Sequence, residues 1–190
     1  MRARDNPFAV ERLRAIRYRP LQGTIEDILA RVRELNYRAA IVGPDGSGKT
    51  TLLEDLERAL AKEGHRTRTV FVNDTCPLDA PACRRLLSEL TPDEIVLLDG
   101  ADLIPRSCWS LTKRHTIRHA FGLLITSHRP GLLPTLVKCA TTPTLLRAIA
   151  TELAPGSPLI TPTLLDELYR HHDGDLRACL RALYDLHSVV

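Results

Sequence analysis

The sequence contains no long apolar run and no closely spaced cysteine pair, and each absence excludes a class of protein. No stretch approaches the roughly 18 consecutive apolar residues that a membrane-spanning helix needs. The first twenty residues are basic but lack the apolar core and small-residue cleavage site of a secretory signal. The five cysteines include no C-x-x-C pair, which argues against a disulfide framework and against a zinc site. We therefore expect a cytoplasmic protein with reduced thiols and no membrane contact.

The composition is instead that of an ordinary globular protein, with 190 residues, 44% hydrophobic and 26% charged. This length supports one full core and a small appendage. The net charge of +3 is modest but uneven, because arginines crowd the first twenty residues. They are Arg2, Arg4, Arg12, Arg14, Arg17 and Arg19. We predict a basic arm over residues 1–23, which is either solvated or binds an anionic partner.

The middle of the chain alternates short apolar runs with helix signals. Apolar or β-branched runs predict strands at 38–43, 69–73, 95–98 and 121–126, with a weaker fifth at 136–140. Helix signals separate them: a capping pair at Thr24 and Asp27, a periodic stretch over 49–63, a cap at Asp79 and a start near Pro105. This alternation predicts an α/β fold in which helices cover both faces of a parallel sheet, over residues 24–141.

The strand signals stop at about residue 142. Thr142-Pro143 and Thr161-Pro162 each place a capping threonine before a proline suited to the first helical position. A last helix is predicted from Asp175 to about His187, with an apolar face formed by Leu176, Cys179, Leu180 and Leu183. Residues 142–190 are therefore predicted to form a small helical subdomain.

A phosphate-binding loop is predicted directly after the first strand. Residues 43–50 read GPDGSGKT and fit the pattern G-x-x-x-x-G-K-[ST] between a strand and a helix. Glycines allow the backbone N–H groups to point inward, Lys49 can reach the β- and γ-phosphates, and the Thr50 hydroxyl can bind magnesium. The predicted phosphate-binding residues are Gly43, Pro44, Asp45, Gly46, Ser47, Gly48, Lys49, Thr50 and Thr51.

An aspartate after the third predicted strand completes a predicted magnesium site. Asp99 follows the apolar run 95–98, where a carboxylate can hold the water shell of a magnesium ion while staying ionised. We therefore expect Thr50 and Asp99 to hold the magnesium ion. Guanine specificity is disfavoured because no N-K-x-D string occurs, so ATP and Mg²⁺ are the expected cofactors.

With these motifs the chain resembles P-loop ATPases, and later motifs narrow the resemblance to the AAA+ group over residues 24–190. The resemblance implies that Asp99 is the Walker B acid and that residues 142–190 are a helical lid. It also implies a polar γ-phosphate sensor at the end of the fourth strand, where Thr126, Ser127 and His128 stand. The string Gly174-Asp175-Leu176-Arg177 is similar to the one that carries a sensor arginine in clamp-loader and origin-recognition relatives, which implies that role for Arg177.

The sequence departs from the AAA+ pattern directly after the Walker B acid. AAA+ ATPases place a water-orienting glutamate there, whereas this chain has Gly100. Asp102 is the favoured substitute base, and Asp74 at the end of the second strand is the second candidate; either could be an ordinary turn residue. No arginine finger is assigned, although Arg106, Arg114 and Arg118 precede the fourth strand. Very slow hydrolysis stays open as an alternative, since a positioned base typically contributes about 10²–10⁴-fold.

The leading functional hypothesis is an AAA+-like ATPase whose lid moves with nucleotide state and acts on a partner. The arginine-rich start fits DNA, an acidic protein or further copies of the chain in a homo-oligomer. A nucleotide-gated module that does not hydrolyse ATP is the first alternative. A P-loop kinase of a small metabolite is the second, disfavoured because a helical tail follows the strands.

Overall fold

A computed structural model of the chain describes residues 5–73, 75–119 and 122–188. Five strands form one parallel sheet in the order β2-β3-β4-β1-β5. Their bounds are β1 Arg38–Val42, β2 Arg66–Phe71, β3 Glu94–Asp99, β4 Gly122–Ser127 and β5 Thr135–Lys138. With helices flanking this sheet, the predicted α/β fold is confirmed.

Apart from a short first helix, the helices begin close to where the sequence predicts them. They are α1 Val10–Leu13, α2 Ile25–Glu34, α3 Lys49–Lys62, α4 Ala80–Glu89, α5 Arg106–His119, α6 Pro143–Leu153, α7 Pro162–His171 and α8 Leu176–Ser188. Thr24 and Asp27 form a reciprocal capping box at α2, while Asp79, Thr142 and Thr161 accept hydrogen bonds from the first turns of α4, α6 and α7. These predicted caps are confirmed because capping depends on a few neighbouring residues.

The chain divides into two compact units, which we call the sheet unit and the helical unit. The sheet unit contains residues 20–43 and 52–138. Its core is centred on β3 and β4, where Leu97, Leu98, Leu124 and Ile125 are at most 1% exposed. Burying each such side chain contributes about 1.5–3 kcal/mol, so these central strands hold the ends of β3 and β4 in fixed positions.

The second strand differs from its prediction. The sequence predicts residues 69–73, but β2 spans Arg66–Phe71 and lies at an edge of the sheet. Register with β3 sets its bounds, and Arg68 pairs with Glu94 at 2.9 Å across the two strands. β2 pairs with β3 alone among the described strands, and its residues are exposed or half-buried, whereas the sequence pattern implied burial on both faces.

The helical unit contains residues 5–19, 44–51 and 139–188. The predicted apolar face of α8 is confirmed, since Leu176, Cys179, Leu180 and Leu183 are all buried. Phe8 joins the same cluster at 1% exposure and packs edge-on against the ring of His187. The segment predicted as a basic arm is therefore divided: residues 5–19 belong to this unit and residues 20–23 to the sheet unit.

The cysteines behave as small apolar residues. All five are free thiols, and four of them, Cys83, Cys108, Cys139 and Cys179, are buried. Across the described parts of the chain, no helix has the length and apolar character needed to cross a membrane.

Candidate functional site

The predicted phosphate loop joins the end of β1 to the start of α3. Gly46 and Gly48 have φ angles of 63° and 85°, a left-handed conformation that glycine adopts without strain. The Ser47 hydroxyl and the Lys49 ammonium each donate to the Pro44 carbonyl at 2.7 Å. The N-terminus of α3 follows the loop, and the positive end of its helix dipole attracts anions.

The first turn of α8 lies directly against this loop within the helical unit. The Asp175 carboxylate accepts from the backbone N–H of Ala178 at 3.0 Å and so caps α8. A Cβ placed on Gly46 would stand 1.8 Å from Asp175 Oδ1 and 2.9 Å from the Leu176 nitrogen. Arg177, the predicted sensor arginine, is the second residue of α8 and is exposed. Its backbone therefore lies in the helical turn next to the loop.

Tyr18 is a loop neighbour that the sequence reasoning missed. A Cβ on Gly48 would lie 3.3 Å from Tyr18 Cδ2, and the Tyr18 hydroxyl donates to Cys139 Sγ at 3.4 Å. Burial, aided by this contact with Cys139, raises the pKa of Tyr18 above its ordinary value. Burial also raises the pKa of the Cys139 thiol, against the opposing effects of Tyr18 and Lys49. Both groups are therefore protonated and neutral at physiological pH, and no local motif signalled their position.

Asp99 and Thr126 are joined at the ends of two adjacent strands in the sheet unit. Thr126 is 1% exposed, and its hydroxyl donates to the Asp99 carboxylate at 2.5 Å. The same hydroxyl accepts from the Gly100 N–H at 2.9 Å. Thr126 therefore fixes the orientation of the predicted Walker B carboxylate.

The backbone explains why a glutamate cannot follow Asp99 in this chain. Gly100 has a φ of 90°, and a Cβ there would stand 2.4 Å from the carbonyl oxygen of Val72. That contact is rigid because Val72 is itself hydrogen-bonded through its N–H to the Asp99 carbonyl at 2.9 Å. Any side chain at this position would displace backbone.

We predict that Gly100→Ala destabilises the protein more than Gly64→Ala does. Gly64 has a similar φ of 87°, but a Cβ there would meet no atom within 4 Å beyond its chain neighbours, so it isolates the conformational cost alone. That cost is about 1–2 kcal/mol, and the clash at Gly100 adds about 1–3 kcal/mol. Urea denaturation measures both free energies of unfolding. Equal losses would show that the approach to Val72 is not a constraint.

The other polar candidates, which lie after β3 and at the end of β4, have separate partners. Asp102 lies in a short 3₁₀ helix, Ala101–Leu103, and its Oδ2 is 2.7 Å from both the backbone nitrogen and Nδ1 of His128. The Ser127 hydroxyl instead donates to the Arg129 carbonyl at 2.6 Å. The structure thus brings Asp102 together with His128, and Thr126 together with Asp99. Asp74 lies outside the described residues.

Comparison with solved structures agrees with this fold. Thermotoga maritima RuvB, in a lysine-to-arginine variant, matches with a TM-score of 0.57 at 14% identity, over 83% of this chain and 60% of the RuvB chain. A proline-to-glycine variant matches at 0.58 and 14%, over 88% and 64%. A third structure, described as a Holliday junction branch migration motor, matches at 0.56 and 15%, over 83% and 58%.

The chain spans about three-fifths of the length of these RuvB structures. No protein-family model and no curated protein sequence matches it. RuvB is an AAA+ P-loop ATPase. The likeness therefore defines this chain as having a P-loop NTPase fold.

Proposed function

We propose that this chain is a small AAA+-like ATPase that binds ATP with Mg²⁺ and couples nucleotide state to movement of its helical lid. One observation carries the proposal: the loop 43–50 has Gly46 and Gly48 in left-handed conformations, leads into α3 and has Gly46 against the first turn of α8. Such a loop cradles phosphates with backbone N–H groups, and Lys49 supplies a cation for the β- and γ-phosphates.

The residues present suit magnesium. Thr50 and Asp99 offer hydroxyl and carboxylate oxygens, the hard ligands that Mg²⁺ prefers. Among the described residues no group of three or more His, Cys, Asp or Glu side chains forms a metal cluster. Magnesium in nucleotide sites takes only one or two protein carboxylates and completes its shell with phosphates and water. When bound, the ion would neutralise charge on the phosphates.

For hydrolysis we propose Asp102 as the residue that orients the attacking water, with Asp74 as the second candidate. If Nδ1–H of His128 donates to Asp102, the lone pair of the ring is on Nε2, so His128 can also serve as an acceptor. The non-hydrolysing module is the competing function. It is favoured by the backbone at Gly100, which excludes the usual glutamate, and by the contacts that already engage the Asp102 carboxylate.

For the partner we propose DNA or an acidic protein, with self-assembly into a homo-oligomer as a further proposal. The proposal of DNA is supported by the arginine-rich first twenty residues and by the fold shared with RuvB, a branch migration motor. Calorimetry with ATP and ADP, followed by steady-state phosphate release with and without a DNA duplex, tests the proposed function and its alternatives. Stimulated release supports the ATPase; binding without release supports the module; phosphate transfer to a metabolite supports the kinase.

Arg177→Ala is expected to weaken ATP binding by about 1.5–3 kcal/mol, the range for hydrogen bonds to charged groups, while barely changing ADP binding. The reason is that a guanidinium on the first turn of α8 can meet a γ-phosphate, which ADP lacks. Arg181→Ala is the matched control, since Arg181 is exposed on the same helix one turn further from the loop. Equal losses for ATP and ADP would make the lid a structural cap.

A further inference from the structure

A basic groove runs between α4 and α5 in the sheet unit, with a volume of about 520 Å³. Leu87 and Leu111 contribute apolar surface to its floor, while Arg84, Arg114 and Arg118 line its sides. The two helices are held together there, because His115 of α5 hydrogen-bonds to the Leu87 carbonyl of α4. The groove is therefore a defined surface feature that the proposed nucleotide site does not use.

The charge of this groove is uncompensated within the described part of the chain. Helix α5, RSCWSLTKRHTIRH, has no acidic residue. Arg84, Arg114 and Arg118 are exposed and form no ion pair with a described carboxylate. The one acid of α4, Glu89, pairs with Arg68 at 3.1 Å.

Histidine adds little positive charge to the groove. Burial, followed by the nearby charges of His119 and Arg118, lowers the pKa of His115. His115 is consequently neutral at physiological pH, and the guanidinium groups supply the positive potential. Because guanidinium is planar and always charged, it pairs with carboxylates through two parallel hydrogen bonds.

We propose that this groove docks an acidic amphipathic helix of a partner protein. Arg114 and Arg118 are spaced i, i+4 on one helix, about 5–6 Å apart at Cβ. Glutamates spaced i, i+4 on a docked helix have the same separation, so each could pair with one arginine. The leucine floor suits apolar side chains on the docked face.

The apolar floor favours a protein over a nucleic acid. Interfaces with DNA are more polar than those between proteins, and phosphate contacts need no leucine surface between the cations. A docked amphipathic helix uses both parts of the groove, since its apolar stripe and its flanking carboxylates lie on adjoining faces. The proposal is independent of nucleotide binding.

Fluorescence anisotropy with the full chain tests this proposal. The probe is a labelled 18-residue helical peptide with leucines on one face and glutamates flanking them at i, i+4; matched probes replace glutamate with lysine or are a 20-base-pair DNA duplex. The proposal expects saturable binding of the glutamate peptide, weakened by salt. The double variant Arg114→Glu/Arg118→Glu should bind it at least about tenfold more weakly, since attraction becomes like-charge repulsion.

Arg85→Glu is the matched control, because Arg85 is exposed on α4 but does not line the groove. It should change the affinity by less than about twofold. Circular dichroism checks that the double variant is folded, and Arg84→Glu, on the opposite side of the groove, provides an independent loss. No saturable binding, equal binding of the lysine peptide, equal losses in Arg85→Glu and the double variant, or tighter binding of the duplex that the double variant abolishes would each overturn the proposal.

Discussion

Lys49→Ala is expected to weaken ATP binding by about 100-fold or more while leaving the fold intact. The Lys49 ammonium is the cation of the proposed phosphate loop. Losing about two charge-assisted hydrogen bonds of 1.5–3 kcal/mol each costs more than the roughly 2.8 kcal/mol that corresponds to 100-fold. Without nucleotide the ammonium donates to the Pro44 carbonyl of its own loop, a local contact, so the free energy of unfolding should change little. Calorimetry with ATP and Mg²⁺ measures the affinity.

Lys62→Ala is the control for this variant. Lys62 is exposed at the far end of the same helix α3, so it tests the loss of one positive charge away from the loop. It should bind ATP like the unaltered chain. If Lys49→Ala bound ATP with unchanged affinity, the interpretation of residues 43–50 as a phosphate cradle would be wrong.

Asp102→Asn is expected to lower ATP turnover by about 10²-fold or more with little loss of ATP binding. The reason is that asparagine cannot accept a proton, although its carbonyl oxygen can still accept from the His128 N–H as Asp102 does. The local structure should therefore persist while the proposed base is lost. Steady-state phosphate release gives turnover, and calorimetry gives the affinity.

Asp74→Asn is the comparison for that experiment, and it should reduce turnover less. The reverse ranking would move the base to the residues after β2. If neither variant changed turnover, and release by the unaltered chain were barely above background, the non-hydrolysing module would replace the ATPase as the better account.

Local patterns predicted most of the fold. Alternating apolar runs and helix caps placed all five strands and the helices around them within a few residues, because burial and capping act over short stretches of chain. The loop 43–50 was equally easy to predict, since a glycine-rich turn between a strand and a helix is a contiguous signal. The bounds of the edge strand β2 were harder to predict. Pairing with β3 sets them at Arg66–Phe71, and that pairing joins segments distant in sequence.

The sequence could not reveal which distant residues contact one another within each unit. Tyr18 beside Gly48, Asp175 against Gly46 and Thr126 on Asp99 each join segments far apart in the chain. Local strings singled out the segments of Thr126 and Asp175 as candidates but did not specify these contacts, and Tyr18 had no local signal. The same holds for Phe8, whose burial with α8 makes part of the predicted arm a component of the helical unit.

By itself the sequence determined the parallel α/β architecture, the helical tail and the position of the glycine-rich loop between β1 and α3, because periodicity, caps and a contiguous motif encode them locally. Only the tertiary structure shows why position 100 requires glycine. The Val72 carbonyl lies where a Cβ would be, and a close approach between two backbone segments depends on strand packing that no single stretch of sequence specifies.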